Sequence, residues 1–127
     1  MKSKKPSRSK LVKKLDTIFS QYIRLKDSKN NIGTCVTCGK QDHWKNLQAG
    51  HFQSRKHYNT RWNEDNVKIQ CPACNVFRYG EQFLFSKYLG NNLSEDLLVK
   101  SRIIVKFTNL ELEEMATKYS NKLKVMV

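Results

Sequence analysis

The residues best equipped for chemistry are four cysteines in two tight pairs, together with a histidine and two asparagines set between and just after them. The pairs are Cys35-Val-Thr-Cys38 and Cys71-Pro-Ala-Cys74. This spacing lets both thiolates of a pair turn toward one ion, and two such knuckles complete a tetrahedral four-sulfur zinc site. A redox dithiol would use one pair and leave the other without a purpose. A closed four-thiolate site has no open position for water or substrate. Zinc at Cys35, Cys38, Cys71 and Cys74 is therefore expected to hold the fold together, not to react.

Reactivity is left to His51, Asn66 and Asn75. A histidine near neutral pH can take a proton from water and so create a nucleophile for a phosphodiester, which makes His51 the candidate general base. Asn66 lies on the segment returning toward His51, where its amide can fix the imidazole or the loop beside it. Asn75 follows the second knuckle directly and offers a neutral oxygen to a hard divalent cation, Mg2+ or Mn2+, that would stabilise charge at phosphorus. Each also has a plain structural reading: a packed strand histidine, a turn asparagine at a strand entry, and a helix N-cap. Arg55, Lys56, Arg61 and Arg78 stand close in sequence as DNA-phosphate ligands, or simply as a solvated basic face. Trp44, Trp62 and Tyr58 could stack on bases, although core packing is the commoner work of tryptophan. His43 is read as part of a zinc-ribbon turn.

Elements must position these groups. Leu15, Ile18, Phe19, Tyr22, Ile23 and Leu25 recur at helical spacing and predict a helix over 15–26. Leu47, Ala49 and Phe52 around His51 predict a short strand within 44–53, and residues 66–70 alternate apolar and polar as a second. The two would pair as an antiparallel hairpin across a polar loop over 54–65, with zinc clamping the ends of a unit too small to hold itself. A helix is expected from Pro72 to Leu89, interrupted or bent near Gly80. Two more are expected over 94–106 and 108–124, the second opened by the capping box Thr108-Asn-Leu-Glu111, while 103–105 would also suit a strand. The class is α+β.

A chain of 127 residues makes one modest domain. Within it we expect a flexible basic arm over 1–14, a zinc-stapled core over 15–90 and a helical extension over 91–127. The formal charge of +13, from 24 Lys and Arg against 11 Asp and Glu, points to a polyanionic partner, with nucleic acid first. No apolar run approaches the roughly 20 residues a membrane helix needs. The N-terminal lysines lack an apolar signal core behind them, so a cytoplasmic place is expected.

The combination Cys35-x2-Cys38, Ala49-Gly50-His51-Phe52-x-Ser54-Arg55, Arg61-x4-Asn66 and Gln70-Cys71-x2-Cys74-Asn75-x4-Gly80 resembles the phage NinG/Rap recombination-endonuclease family. More broadly it is similar to four-cysteine zinc HNH (His-Me finger) nucleases such as phage endonuclease VII. The resemblance covers residues 15–89. It implies a ββα-metal (HNH) nuclease fold with flanking helices, His51 as general base, Asn66 as the middle residue of the motif and Asn75 as a ligand of the catalytic ion. It also implies branched DNA, such as Holliday junctions or D-loops, as substrate and a bacterial host cell as the setting; a junction resolvase needs two cuts and so a homodimer, for which the C-terminal helices with their apolar stripes are the candidate interface. One departure stands out: many such nucleases carry Asp or His directly before the base, whereas this chain has Gly50. The missing ligand would then come from His57 first, or from Gln48, Glu64, Asp65 or a DNA phosphate. A rival reading is a zinc-ribbon module that binds nucleic acid without cutting it. A third is a restriction or homing enzyme with a fixed target sequence.

Overall fold

The computed structural model describes residues 5–126. Helix α1 (Arg8–Lys26) starts where the Ser7 hydroxyl accepts a hydrogen bond from the Lys10 N–H, a side-chain N-cap. Its buried residues Leu11, Leu15, Phe19, Tyr22 and Ile23 follow the three-and-four spacing of one helix face. Leu11 adds a turn to the stripe that the sequence predicts from Leu15. Residues 8–14 are therefore helix and not the flexible arm expected there, because burying Leu11 ties the lysine-rich turn to the core. Residues 1–4 of that arm lie outside the described residues.

Four short strands follow in two antiparallel ribbons. β1 (Ile32–Thr34) pairs with β2 (Gln41–His43), and β3 (Gln48–His51) with β4 (Val67–Gln70) in the register His51↔Val67 and Gln48↔Gln70. A single turn of 3-10 helix, Trp44–Asn46, links β2 to β3. The loop between β3 and β4 carries one helical turn, α2 (Tyr58–Arg61).

After Cys71 the expected interruption near Gly80 is present, and the stretch before it is not a regular α-helix. Residues Ala73–Phe77 form one wide π turn, closed by the Arg78 N–H donating to the Ala73 carbonyl. Tyr79, Gly80 and Glu81 then all take left-handed backbone angles, which no helix can continue through, and α3 (Gln82–Leu89) begins afresh. The molecule is thus α+β, with a β3–β4 hairpin followed by a broken helical segment.

α4 (Asn91–Arg102) and α5 (Asn109–Met126) complete the chain, and residues 103–105 are neither helix nor strand. The capping box forms in both directions at Thr108 and Glu111, at 3.0 and 3.1 Å. α5 lies along α1 in the same direction. Arg8 donates to the Phe107 carbonyl at one end, and the Tyr119 ring meets Phe19 and Tyr22 at 4.9 Å farther along. Leu112, Ala116 and Tyr119 are buried there with the α1 stripe, Trp62 and Val67. The apolar stripe of α5 is therefore covered within the chain. No described helix is long and apolar enough to cross a membrane.

Candidate active site

The two knuckles meet. The four cysteine sulfurs all lie within 4.8 Å of one another, and Cys38 Sγ is 3.6 Å from Cys71 Sγ. Tetrahedral zinc with bonds of about 2.3 Å needs sulfurs about 3.8 Å apart, so the cluster fits that ion. Each knuckle is shaped by its backbone: Gly39 N–H donates to Cys35 O and Asn75 N–H to Cys71 O, both at 2.9 Å. Gly39 sits at φ +83, where a side chain would be strained. Val36 N–H donates to Ile69 O at 3.0 Å and ties the first knuckle to β4. A metal here fastens both ribbons at once. Around the sulfurs only Leu47 and Ile69 are buried as apolar packing, too little to hold two ribbons of three- and four-residue strands.

His51 ends β3 with its Nε2 2.9 Å from the carbonyl oxygen of Arg61. A carbonyl only accepts, so Nε2 carries the proton and Nδ1 keeps its lone pair. Among the described residues no protein group bonds Nδ1. Burial pushes the His51 pKa down to about 4, against a partial upward pull from the Arg61 carbonyl and from Asp16. The imidazole is neutral at pH 7 and presents a free base.

Asn66 is fully buried one residue before β4. Its Oδ1 accepts from Gln53 N–H at 2.7 Å, and its Nδ2 donates to Gln53 O and Thr60 O, each at 3.0 Å. It thereby pins both ends of the loop to β4, including the turn that presents the Arg61 carbonyl. Its hold on His51 is thus indirect, through the loop. That loop is braced again by Asp16 on α1, whose carboxylate takes two bonds from the Arg61 guanidinium at 2.6 and 3.1 Å and one from Trp62 Nε1 at 3.0 Å.

His51 and Asn75 open onto one cleft of about 870 Å³ along the free edge of β3. Gln48 lies there too, its Oε1 accepting from Asn75 Nδ2 at 2.8 Å, and Arg24, Lys45 and Arg55 line the same walls. The neutral oxygens there include the amides of Gln48, Asn75 and Gln82 and the hydroxyls of Ser20 and Ser54. Among the described cleft residues the one carboxylate, Asp16, is already engaged by Arg61 and Trp62. Hard divalent ions favour carboxylate and phosphate oxygens, so an ion here would rely on its own waters and a phosphate more than on these side chains. A carboxylate at position 50 is excluded by packing: a Cβ on Gly50 would come within 1.9 Å of Gln70 Oε1. That oxygen is itself buried without a hydrogen-bond partner, while Gln70 Nε2 donates to Gly80 O at 2.8 Å.

Other predicted residues fall elsewhere. His57 precedes α2 and does not line the cleft. Glu64 receives the Tyr22 and Tyr119 hydroxyls on the α1–α5 side, and neither it nor Asp65 reaches the cleft. Arg61, expected at a phosphate, turns inward to Asp16 and to the Arg55 carbonyl. Arg78 lies with its guanidinium 4.0 Å from Cys74 Sγ, against the cysteine cluster. Arg55 and Lys56 are exposed and line a second basic groove with Arg8 and Lys13, which shares Asp16 and Arg55 with the first. Trp62 is core and Tyr58 stacks on it, whereas Trp44 lies under Arg24 and Lys45. His43 accepts from Lys45 N–H within the ribbon turn. The sequence reading missed Asp16, Arg24 and Lys45. Asp16 and Arg24 sit on the helix it treats as core, and their spacing from each other and from Lys45 carries no motif.

The family model described as Bacteriophage Lambda NinG protein matches residues 1–127. No curated protein and no solved structure matches the chain.

Proposed function

The chain belongs to the bacteriophage lambda NinG family, and from that premise we propose that it is a divalent-metal-dependent DNA endonuclease of the HNH type acting on branched recombination intermediates. The observation that carries the reading is a neutral His51 whose Nδ1 has no partner among the described residues, in a cleft also lined by Asn75, Arg24, Lys45 and Arg55. Water in the cleft would lose its proton to His51 Nδ1 as its oxygen attacks phosphorus, while the P–O bond to the leaving sugar oxygen breaks and that oxygen takes a proton from solvent water. The Arg61 carbonyl on Nε2 and the nearby Asp16 charge both favour the imidazolium that forms. Asn75, with Gln48 beside it, would hold the divalent ion, which supplies charge stabilisation at the phosphate when bound. Arg24, Lys45 and Arg55 hold flanking phosphates, and the groove of Arg8, Lys13 and Lys56 extends the same track.

Two cuts at a junction call for two copies of the chain. With the α5 stripe covered by α1, our reading would seat the second copy on the exposed apolar residues at the end of α4 and just after it, Leu98, Val99, Ile103 and Ile104. Light scattering on the DNA complex should give the dimer mass. A monomer would remove this part of the reading.

The experiment for the activity is a cation titration. Cleavage should require Mg2+ or Mn2+ and stop under chelation mild enough to leave zinc bound. A zinc-ribbon module that only binds would keep its DNA affinity and cut under none of these conditions.

A further inference from the structure

Tyr79 is 90% exposed and lines the cleft that holds His51 and Asn75. A large aromatic ring standing in water at the mouth of a site needs a reason, since its burial elsewhere would stabilise the fold. The backbone beneath it is also unusual. Tyr79, Gly80 and Glu81 have φ of +53, +86 and +49, three left-handed residues in succession, two of them carrying side chains. The turn is nonetheless tightly anchored. Gly80 N–H donates to the carbonyl of the zinc ligand Cys74 at 2.8 Å, Gln70 Nε2 donates to Gly80 O at 2.8 Å, and Tyr79 N–H donates to Val76 O. The ring is therefore presented on a rigid support fixed to the metal cluster.

Its surroundings identify the occupant. Nearby in sequence, though not lining the cleft, Phe77 and Phe83 are 77% and 70% exposed, and Lys87 Nζ lies 4.7 Å from the Phe83 ring centre. Arg24, Lys45 and Arg55 line the same cleft as Tyr79. Exposed rings among cations on a chain of charge +13 suit a partner that is a polyanion with flat aromatic faces, and not an apolar protein surface. Bases in a continuous duplex have those faces covered by their neighbours, whereas unpaired or unstacked bases offer them.

We propose that Tyr79 is a stacking platform for an unpaired base next to the scissile phosphate, making it a specificity-determining residue that selects DNA with unstacked bases over continuous duplex. The inference rests on the nuclease reading and deepens it by naming the feature of the substrate that is recognised.

The test uses the zinc-loaded full chain without added divalent ion, so no cleavage is needed. Two probes are compared: a fully paired duplex, and the same duplex with an unpaired 2-aminopurine. Wild type and Tyr79→Trp should quench the fluorophore and prefer the unpaired probe about tenfold or more, the scale of one aromatic–base stack. Tyr79→Ala should lose the quenching and most of that preference while its affinity for the paired duplex stays within about twofold, below the effect of one lost stack. Tyr79→Gly should do the same, and because glycine accepts φ +53 without strain, with zinc content and circular dichroism matched to wild type its loss is not one of backbone strain or folding. The proposal is overturned if either ring-less variant keeps the preference, if both probes weaken equally, or if only the oligomeric mass changes. Cleavage by wild type in Mg2+ is scored separately. Its absence would sink the nuclease reading and leave the stacking result to be judged by itself.

Discussion

The Nε2 of His51 lies 2.9 Å from the backbone carbonyl oxygen of Arg61, and this contact decides which nitrogen of the ring can act. With Nε2–H committed to a carbonyl, the lone pair sits on Nδ1, the nitrogen without a protein partner. The same loop that supplies the carbonyl is held by Asn66 from β4 and by Asp16 from α1. One strand and one helix thus converge on the orientation of one imidazole.

A pH prediction follows with a definite sign. The folded protein holds His51 at about 4, against about 6.5 for an unfolded histidine, so folding excludes a proton between these values. Stability present above pH 6.5 is lost as pH falls toward 4. In urea titrations wild type should lose at most about 3 kcal/mol more than His51→Asn between pH 7 and 4. Parallel loss in the two proteins would show that His51 is not held neutral. Cleavage, for the same reason, should show no acid limb near pH 6.5.

Asn66 should be costly to change even conservatively. Asn66→Asp keeps the shape but cannot donate to the Gln53 and Thr60 carbonyls and buries a charge. Each carbonyl left unsatisfied costs about 1–3 kcal/mol, so chemical denaturation should show a loss of several kcal/mol. Because the Arg61 carbonyl moves with that loop, cleavage per folded molecule should fall too. A stable variant with full activity would remove the indirect link to His51.

Much of the site was legible because its residues are tied to local chemistry. The cysteine pairs announce a shared ion by spacing alone, and His51 falls on the predicted strand β3, Asn66 just before β4 and Asn75 in the turn after the second pair. The capping box at Thr108 formed because it needs only four consecutive residues. What escaped notice depends on distant partners. Arg61 reads as a phosphate ligand until Asp16, on another element, claims its guanidinium. The first turns of α1 read as a basic arm because lysines mask the single residue, Leu11, whose burial makes them helix. The β1–β2 ribbon has no alternation to detect, since Ile-Gly-Thr and Gln-Asp-His pair only because the knuckle brings them together. The left-handed run at Tyr79 and Glu81 contradicts local propensity and is sustained by Cys74 and Gln70.

Gly50 should behave as a packing-dictated glycine. Gly50→Ala drives a Cβ to 1.9 Å from Gln70 Oε1, which must move and release Gly80 and Thr37. We expect a loss of about 1–3 kcal/mol, the usual cost of overpacking, partly recovered in Gly50→Ala/Gln70→Ala. Strict additivity in this double-mutant cycle would contradict the contact.

Zinc removal should separate the two halves of the core. Cys35→Ser, or strong chelation, should abolish stoichiometric zinc by atomic absorption and collapse the β1–β2 and β3–β4 ribbons. The α1–α5 pair, built on Phe19, Tyr22, Leu112 and Tyr119, should keep most of the helical circular dichroism. Unchanged amide protection in the ribbons without metal would show that zinc does not hold them.

The central claim is that His51 is the base of a nuclease site. The most direct measurement compares wild type and His51→Ala, matched for zinc content, on a four-way junction and a linear duplex of the same sequence in Mg2+. The account predicts that wild type cuts the junction in preference to the duplex, and that His51→Ala binds both as wild type does but cuts at least about a hundredfold more slowly, the scale of a lost general base. Normal cutting by His51→Ala, or binding without cutting by wild type in both Mg2+ and Mn2+, would contradict it.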